Sequence, residues 1–411
     1  MIFTDKEKYA LSFQTEIKLE LDKIKVLLEK LGNPQKNLEY IHVAGTNGKG
    51  SVCSFLEGML IKSGKRTGKF SSPELIRKNE TIRFNGADIT DYDLKRLINK
   101  VSTVAQSMKN YPSPFEIMCA VAFLYFDEMN CEIVILETGM GGESDATNVI
   151  DSAKVCVLTH IALDHMAYLG DTLEKITKVK SGIIKQNSFV VTLEDNGEFS
   201  VIEEKCRYTN SKLCLCEKLN SSKFEACNEI INYKGFDIKL SLCGINQVEN
   251  ASLAIKTAEI MGIDFQSIKY GLENVQNPGR FEKISENIYF DGAHNPDGAR
   301  ALRKSIDRYM PDKRITFVMG VMADKEFAEM VQILNKGDCS FVFVTVQNNP
   351  RAMKNTDMLK IAEKHNIKAK ISSNTNDVLI KITNKVVFVC GSLYMYKDIN
   401  KNLIKRNEYF D

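Results

Sequence analysis

The 411-residue sequence has no excess of charge of either sign, no long apolar run, no closely paired C-x-x-C motif and only five histidines, and each shortage excludes something. Lysine plus arginine number 55 against 53 aspartate plus glutamate, a formal charge of +2, so there is no broad basic field for a nucleic-acid backbone. Small molecules are the expected partners. The longest apolar runs, such as IVIL at 133–136 and VVFVC at 386–390, are strand-sized and far short of a membrane span. The amino-terminal MIFTDKEKYA lacks the cationic-then-apolar order of a secretory signal, which sets the expectation of a cytoplasmic protein. The cysteines, among them Cys119, Cys131, Cys156 and Cys390, lie scattered through apolar stretches and read as small buried hydrophobes in a reducing compartment. Cys214 and Cys216 alternate onto one face of a strand, but no second ligand cluster accompanies them, so no metal is expected there.

The apolar fraction of 44% is ample for packed cores, and the length exceeds what one core normally serves, so two domains are expected. From residue 38 onward short apolar strands alternate with amphipathic helices: EYIHVAG, a helix over 50–63, a helix over 115–129, CEIVILETG, AKVCVLTHI, a helix over 171–185, and SFVVTL. Such alternation predicts an α/β fold with a parallel sheet covered by helices and ligands at the carboxyl ends of the strands. KLCLCEK and FDIKLSL read as antiparallel hairpins on an edge, and a helix over 248–262 follows. After NVQNPGRFEKI the rhythm restarts with NIYFDG, RITFVMG, SFVFVTV and VVFVCG, separated by helices over 296–309, 325–336, 355–365 and 375–384. The expected division is a larger domain over 1–278 and a smaller α/β domain over 279–411, with the Asn277-Pro278-Gly279 turn as hinge.

The chemistry gathers at strand ends. In HVAGTNGKGS, residues 42–51, a strand ends at Ala44, glycines follow at 45, 48 and 50, and a helix begins near Ser51. Glycines let the backbone approach phosphate oxygens, and a helix amino terminus presents unpaired N–H groups. The common loop G-x-x-x-x-G-K-[ST] would want glycine at Val43 and a hydroxyl at Gly50; here Lys49 is in place and the hydroxyl, on Ser51, comes one position later. Glu137 ends the apolar strand before the GMGG turn, where a carboxylate either meets a metal ion or simply starts a solvated loop. The next strand runs into His160, Asp164 and His165, and a histidine beside a carboxylate at a strand end is a candidate metal ligand or a hydrogen-bonded structural residue. Lys180 reads on its own as one surface lysine among Lys175, Lys178 and Lys185.

Taken together, HVAGTNGKGS, FSSPEL, LETGMGG with DATN, IALDHMAYLGDTLEKITKVKSGII, GINQVENASLA, PGRFE, DGAHNPDGA and CGSLY resemble the folylpolyglutamate synthases and dihydrofolate synthases of the Mur ligase superfamily, in family order from residue 42 to 394. The resemblance implies a P-loop ATP-binding domain, a smaller Rossmann-like domain, and ligation in which ATP phosphorylates a carboxylate and the amine of glutamate displaces phosphate. It implies that Asn47, Gly48, Lys49, Gly50 and Ser51 cradle ATP and that Ser51 and Glu137 hold a first Mg²⁺. It further implies a second metal on His165 and a carbamylated Lys180, which reverses the surface reading of that lysine; Lys49, His165 and Lys180 are the expected catalytic set. Asn246, Gln247 and Asn250 correspond to the adenine side, Arg280 and Asp291 to ATP contacts from the second domain, and His294 and Asn295 to the incoming glutamate. Ser72, Pro73, Phe115, Glu116 and Asp145 correspond to the acceptor's surroundings. The family implies a monomer.

Two positions depart from the pattern. Glu74 stands where the family has histidine, and Glu143 where it has arginine. Acid should weaken capture of an anionic folate, so either neighbouring Arg77, Lys78 and Arg83 compensate or the acceptor differs.

Overall fold

The computed structural model describes residues 20–217, 219–221, 223–381 and 385–399. By packing they fall into two units. One holds the described residues up to Asn220 together with Glu249–Val275, and the other holds Ser221–Val248 together with the described residues from Gln276 onward.

The first unit is built on an eight-stranded sheet made of β1 (Tyr40–Ala44), β2 (Thr67–Phe70), β3 (Ile82–Phe84), β4 (Ala87–Asp88), β5 (Ile133–Glu137), β6 (Val155–Leu158), β7 (Phe189–Thr192) and β8 (Lys212–Leu215). Their order is β4-β3-β2-β5-β1-β6-β7-β8, with only the β2–β3 and β3–β4 pairings antiparallel and all others parallel. YIHVA, IVILE and VCVL are buried at every position, because helices cover both faces, and so they read as unbroken apolar runs. The helix Pro114–Glu128 is buried without a break from Glu116 to Phe126. After β1 the chain moves to β2 on one side of it, and after β5 it crosses to β6 on the other. The carboxyl ends of β1, β5 and β6 therefore surround the point where the winding reverses, the usual ligand crevice of such sheets.

In the second unit β9 (Lys223–Glu225), β10 (Asn228–Tyr233) and β11 (Phe236–Cys243) form a three-stranded antiparallel sheet. A six-stranded sheet follows in the order β12-β13-β17-β14-β15-β16, from β12 (Glu282–Lys283), β13 (Ile288–Asp291), β14 (Ile315–Met319), β15 (Cys339–Phe343), β16 (Ala369–Ile371) and β17 (Val386–Cys390). All but the β12–β13 pairing are parallel.

Of the two expected antiparallel segments, FDIKLSL forms a hairpin with β10 and KLCLCEK does not. KLCLCEK supplies β8, which pairs parallel to β7, because the helix Phe199–Tyr208 returns the chain to the same end of the sheet. FDIKLSL belongs to the separate small sheet, which packs with the second unit. Glu229, 1% exposed, accepts from Arg308 Nε at 2.6 Å and Tyr309 Oη at 2.7 Å, and Phe224 packs edge-on against Tyr309. Residues 221–248 thus lie with the chain that follows 276, where a single boundary at 278 would leave them on the other side. The helices Asp22–Lys30, Asp91–Gln106, Phe199–Tyr208 and Phe265–Asn274 add to those expected. No helix among the described residues is long and apolar enough to cross a membrane.

The helix that follows the glycine loop, Lys49–Lys62, is fastened to β2 and β3 by charge. Lys69 Nζ lies 2.6 Å from Glu57 Oε2, both buried, and Arg83 Nη1 reaches the same oxygen at 3.1 Å. Removing one member leaves buried charge without its partner, whereas an apolar pair of similar shape does not. Lys69→Ala is expected to cost about 3 kcal/mol, and Glu57→Met with Lys69→Met to recover most of it, as read from urea midpoints.

Candidate active site

The glycine loop is held from outside itself. Beyond β1, Thr159 N donates to Ala44 O at 2.8 Å, and Thr46 N and Asn47 N both donate to His160 O, at 2.8 and 3.2 Å. Thr46 Oγ1 donates to Ala162 O at 2.9 Å and accepts from Ala162 N at 3.0 Å, while Thr159 Oγ1 donates to Asn47 O at 2.8 Å. The segment after β6 therefore fixes the loop's path. Two of its glycines are required by that path. Gly48 has φ 91°, and a Cβ there would overlap Asn250 Oδ1; a Cβ on Gly45 would overlap Thr159 Oγ1. The helix starts at Lys49, slightly earlier than expected, so its first turn carries Lys49, Gly50 and Ser51.

Two lysines meet at this loop. Lys49 Nζ donates to Gly45 O at 3.1 Å and to Thr46 O at 3.2 Å, and Lys180 Nζ donates to Gly45 O at 2.8 Å. Lys180 is 4% exposed, so the surface reading is overturned. On the helix Leu173–Ser181 it shares the buried face with Ile176, Thr177 and Ser181, whereas Lys175 and Lys178 are exposed and Lys175 pairs with Asp171 at 2.7 Å.

Ser51 and Glu137 are both buried, one on the first turn of the helix and the other at the last position of β5, whose backbone pairs opposite Val43 of β1. A hydroxyl and a carboxylate are hard oxygen donors of the kind Mg²⁺ takes. Among the described residues no group of three or more histidine, cysteine, aspartate or glutamate side chains forms a metal cage. Mg²⁺ relies on one or two protein oxygens together with phosphate and water. His165 adopts φ 51°, a left-handed conformation uncommon outside glycine, and caps the short helix Met166–Leu169; its N–H donates to Asp164 Oδ1 at 2.8 Å.

The turn after β5 forms the other side of this region. Asp145 is buried beneath it: its carboxylate accepts from Met140 N at 2.8 Å, Thr147 N at 3.0 Å and Thr147 Oγ1 at 2.6 Å. Burial raises its pKa above the usual carboxylate value against the opposing pull of these bonds. Asp145 thus holds the turn together from below. Phe115 packs against Phe70, ring centroids 5.7 Å apart, and occupies the space a Cβ on Gly139 would need. Glu116 closes the capping box of its helix, accepting from Ser113 N at 2.7 Å. The Ser72–Pro73 peptide is cis. Beyond it Glu74 pairs with Lys78 at 2.5 Å; Arg83 is engaged with Glu57 and Asp88, and Arg77 is exposed. Glu143 is exposed, with its backbone N–H on Val179 O at 2.8 Å.

In the second unit, Asp291 ends β13 and accepts from Phe281 N and Ala293 N, both at 2.8 Å. Burial raises its pKa, and the Arg280 guanidinium pulls it back. Asn295 caps the helix Pro296–Tyr309, accepting from Gly298 N at 2.7 Å, and His294 Nδ1 lies 2.8 Å from Gly292 O. Asn246 is exposed at the start of the helix Gln247–Ile260, on which Gln247 and Asn250 are buried. Thr46, Thr159, Thr147 and His42, which hold these loops, were not singled out from the sequence. A histidine inside an apolar strand next to the glycine loop was the available signal.

The Mur ligase middle domain model matches residues 43–258, and the model described as Mur ligase, glutamate ligase domain, matches 279–393. The chain is 35% identical over 422 residues to the dihydrofolate synthase/folylpolyglutamate synthase of Bacillus subtilis (strain 168), covering 94% of this chain and 95% of the relative. It is 32% identical over 435 residues to the folylpolyglutamate synthase of Lacticaseibacillus casei, covering 98% and 99%. Among solved structures, Mycobacterium tuberculosis folylpolyglutamate synthase complexed with ADP and AMPPCP superposes with a TM-score of 0.86 at 25% identity, over 93% of this chain and 95% of that one. E. coli FolC in complex with DHPP and ADP gives 0.84 at 25% identity, over 98% and 97%. The fold and the matched domains define a Mur ligase, an enzyme that joins a carboxylate to an amine. Within that class, the chain belongs to the folylpolyglutamate synthase/dihydrofolate synthase family.

Because Gly48 combines left-handed φ with overlap against Asn250, Gly48→Ala is expected to cost about 1–3 kcal/mol. In an Asn250→Ala background the overlap disappears and the backbone strain persists, so the cost should shrink without vanishing. A denaturant double-mutant cycle measures both parts.

Proposed function

We propose that the protein uses ATP to join L-glutamate to the carboxylate of a pteroyl or folyl acceptor, dihydropteroate, tetrahydrofolate or both. The observation that carries this reading is the arrival of Lys49 and Lys180 on one carbonyl oxygen, Gly45 O, at the amino end of a helix. The relatives' complexes with ADP, AMPPCP and DHPP support it.

A carboxylate is a poor electrophile until it carries a leaving group. The γ-phosphoryl group of ATP passes to an acceptor carboxylate oxygen and ADP departs. The glutamate amine then forms the C–N bond, loses its proton, and expels phosphate. ATP, acceptor and glutamate all bring negative charge to one place, so the residues' task is to gather and offset it. Gly48 to Ser51 present backbone N–H groups and the helix dipole to the phosphates, Asn47, whose own N–H is held by His160 O, is assigned to the same cradle, and Lys49 is assigned to the terminal phosphates. Mg²⁺, when bound by Ser51 and Glu137, supplies charge neutralisation at the phosphates. His165 and Lys180, the latter as its carbamate, are assigned to a second metal. Asn246, Gln247 and Asn250 are assigned to the adenine side, Arg280 and Asp291 to the nucleotide, and His294 and Asn295 to glutamate. The acceptor belongs by Ser72, Pro73 and Phe115, with Glu116 and Asp145 shaping that region from beneath. The two matched domains are assigned as an ATP-binding part and a glutamate-ligase part, and the enzyme as a cytoplasmic monomer acting on small molecules.

The salt bridge between Glu74 and Lys78 favours folate over another acceptor, since it spends the acid that departs from the family pattern. ADP release from Mg-ATP and L-glutamate should rise with dihydropteroate or tetrahydrofolate over a no-acceptor control; no rise with either, while nucleotide still binds, rejects the folate acceptor. Lys180→Ala should lower turnover by about 100-fold or more, with partial rescue by short carboxylic acids. Turnover within twofold of the parent enzyme would remove Lys180 from the reaction.

A further inference from the structure

The ligase reading leaves unused a histidine in the middle of β1. His42 is fully buried, in a strand flanked by β5 and β6. Its Nε2 lies 2.8 Å from Thr147 Oγ1, and Thr147 Oγ1 lies 2.6 Å from Asp145 Oδ1. Its Nδ1 has no hydrogen-bond partner among the described residues. Burial, with the nearby charge of Lys185, pushes the imidazolium down to about 3, so the ring is neutral at physiological pH.

With Asp145 ionised, these contacts set the direction of the protons in the chain. Were Nδ1 protonated, a buried N–H would go unpaired, and Nε2 would need the Thr147 hydroxyl proton as acceptor. Thr147 and Asp145 would then press two oxygens together at 2.6 Å with no proton between them. The arrangement that leaves no buried N–H or O–H of the three unpaired has Nε2–H donating to Thr147 and Thr147 donating to Asp145. The other end of the chain is the turn at 139–145. Asp145 Oδ2 accepts from Met140 N, Glu143 N donates to Val179 O at 2.8 Å, and a Cβ on Gly142 would collide with the carbonyls of Val179 and Lys180. Gly139, in turn, lies against Phe115.

We infer that His42 is a positioning residue of the ligase: through Thr147 it orients Asp145, and so sets the 139–145 turn against the backbone of Lys180 and the ring of Phe115. This inference rests on the proposed ligase reading, because Lys180 and Phe115 matter to the reaction only under it. The relay ties the strand that leads into the glycine loop to the turn assigned to the acceptor. A displacement of about 1 Å at such a distance from the chemistry is enough to cost about 100-fold.

The test uses the full-length enzyme. Histidine ¹⁵N chemical shifts at pH 7 should show His42 protonated on Nε2 and bare on Nδ1; the opposite tautomer overturns the relay whatever the activity. Thr147→Val keeps the shape and loses the hydroxyl, and Thr147→Ser keeps the hydroxyl. The valine variant should lose about 10–100-fold in kcat/KM for the pteroyl acceptor, while the ADP dissociation constant stays within twofold, and the serine variant should stay within about threefold of the parent. Equal behaviour of valine and serine variants, or parallel loss of ADP binding and acceptor use, overturns the inference. Should the valine variant not fold, the tautomer and the serine variant still decide. A parent enzyme with no turnover on any pteroyl acceptor overturns the ligase reading and this inference together, whereas an active parent matched by an active valine variant overturns this inference alone.

Discussion

One carbonyl oxygen, that of Gly45, receives two lysine ammonium groups that are 131 residues apart in sequence, and much of the first unit is arranged to bring them there. Donors at 3.1 and 2.8 Å from a common acceptor are no farther than about 6 Å from one another, where two unit charges at an effective dielectric of about 20 repel by about 3 kcal/mol. A fold keeps such a pair where an anion, or a group converted into one, offsets the repulsion. Under the proposed ligase reading the loop's glycines, the helix amino terminus and both lysines serve one purpose, which is to hold negative charge at a fixed place. Ordinary solvated lysines need none of this. Lys175 and Asp171, exposed one helical turn earlier, show what a lysine without that task does on the same helix.

Holding the charge requires a rigid frame, and the frame is made of threonines and main chain. Thr46, Thr159 and His160 clamp the loop after β1 to the segment after β6, while Thr147 and Asp145 clamp the turn after β5. Strand ends that lie side by side in the sheet are thus joined directly across the crevice. The second unit uses a similar device by itself. Asp291 accepts from the N–H groups of Phe281 and Ala293, and Phe281, at φ 41°, is seated among Tyr289, Tyr309 and Phe388, so Arg280 leaves the backbone in a fixed direction. A bulky residue in that conformation is strained and persists only where its surroundings hold it.

The elements legible in the sequence were those whose signal is local. The unbroken runs YIHVA, IVILE and VCVL announce doubly covered strands, and the glycines around Lys49 announce a tight approach to a helix end. Lys180 was hidden because four lysines crowd one short stretch, although Ile176, Thr177 and Lys180 fall on one helical face. The parallel pairing of β8 and the attachment of residues 221–248 to the second unit were not legible, since strand alternation states which faces are apolar and not which neighbour covers them. Glu116 and Asp145 are carboxylates in the expected region, but the capping box and the turn's own N–H groups claim them, a competition that motif position alone does not display.

The two acids that depart from the family pattern are not equivalent once their surroundings are compared. Glu74 is paired with Lys78 four residues away, so its negative charge is largely met within its own segment, and of the basic residues named as compensators Arg83 is already committed to Glu57 and Asp88. Glu143 is exposed, yet its backbone is fixed to the carboxyl end of the Lys180 helix and packed where a Cβ on Gly182 would fall. A side chain at 143 therefore leaves the turn from a fixed origin while its tip lies in solvent, where the charge is screened within about 10 Å at ordinary ionic strength. Substitution at 74 alters a local ion pair, and substitution at 143 alters only what a mobile or anionic ligand meets at the mouth of the turn. Under the proposed reading an anionic acceptor would meet acid at 143 rather than at 74, and the hydrogen bonds of the frame involve neither side chain.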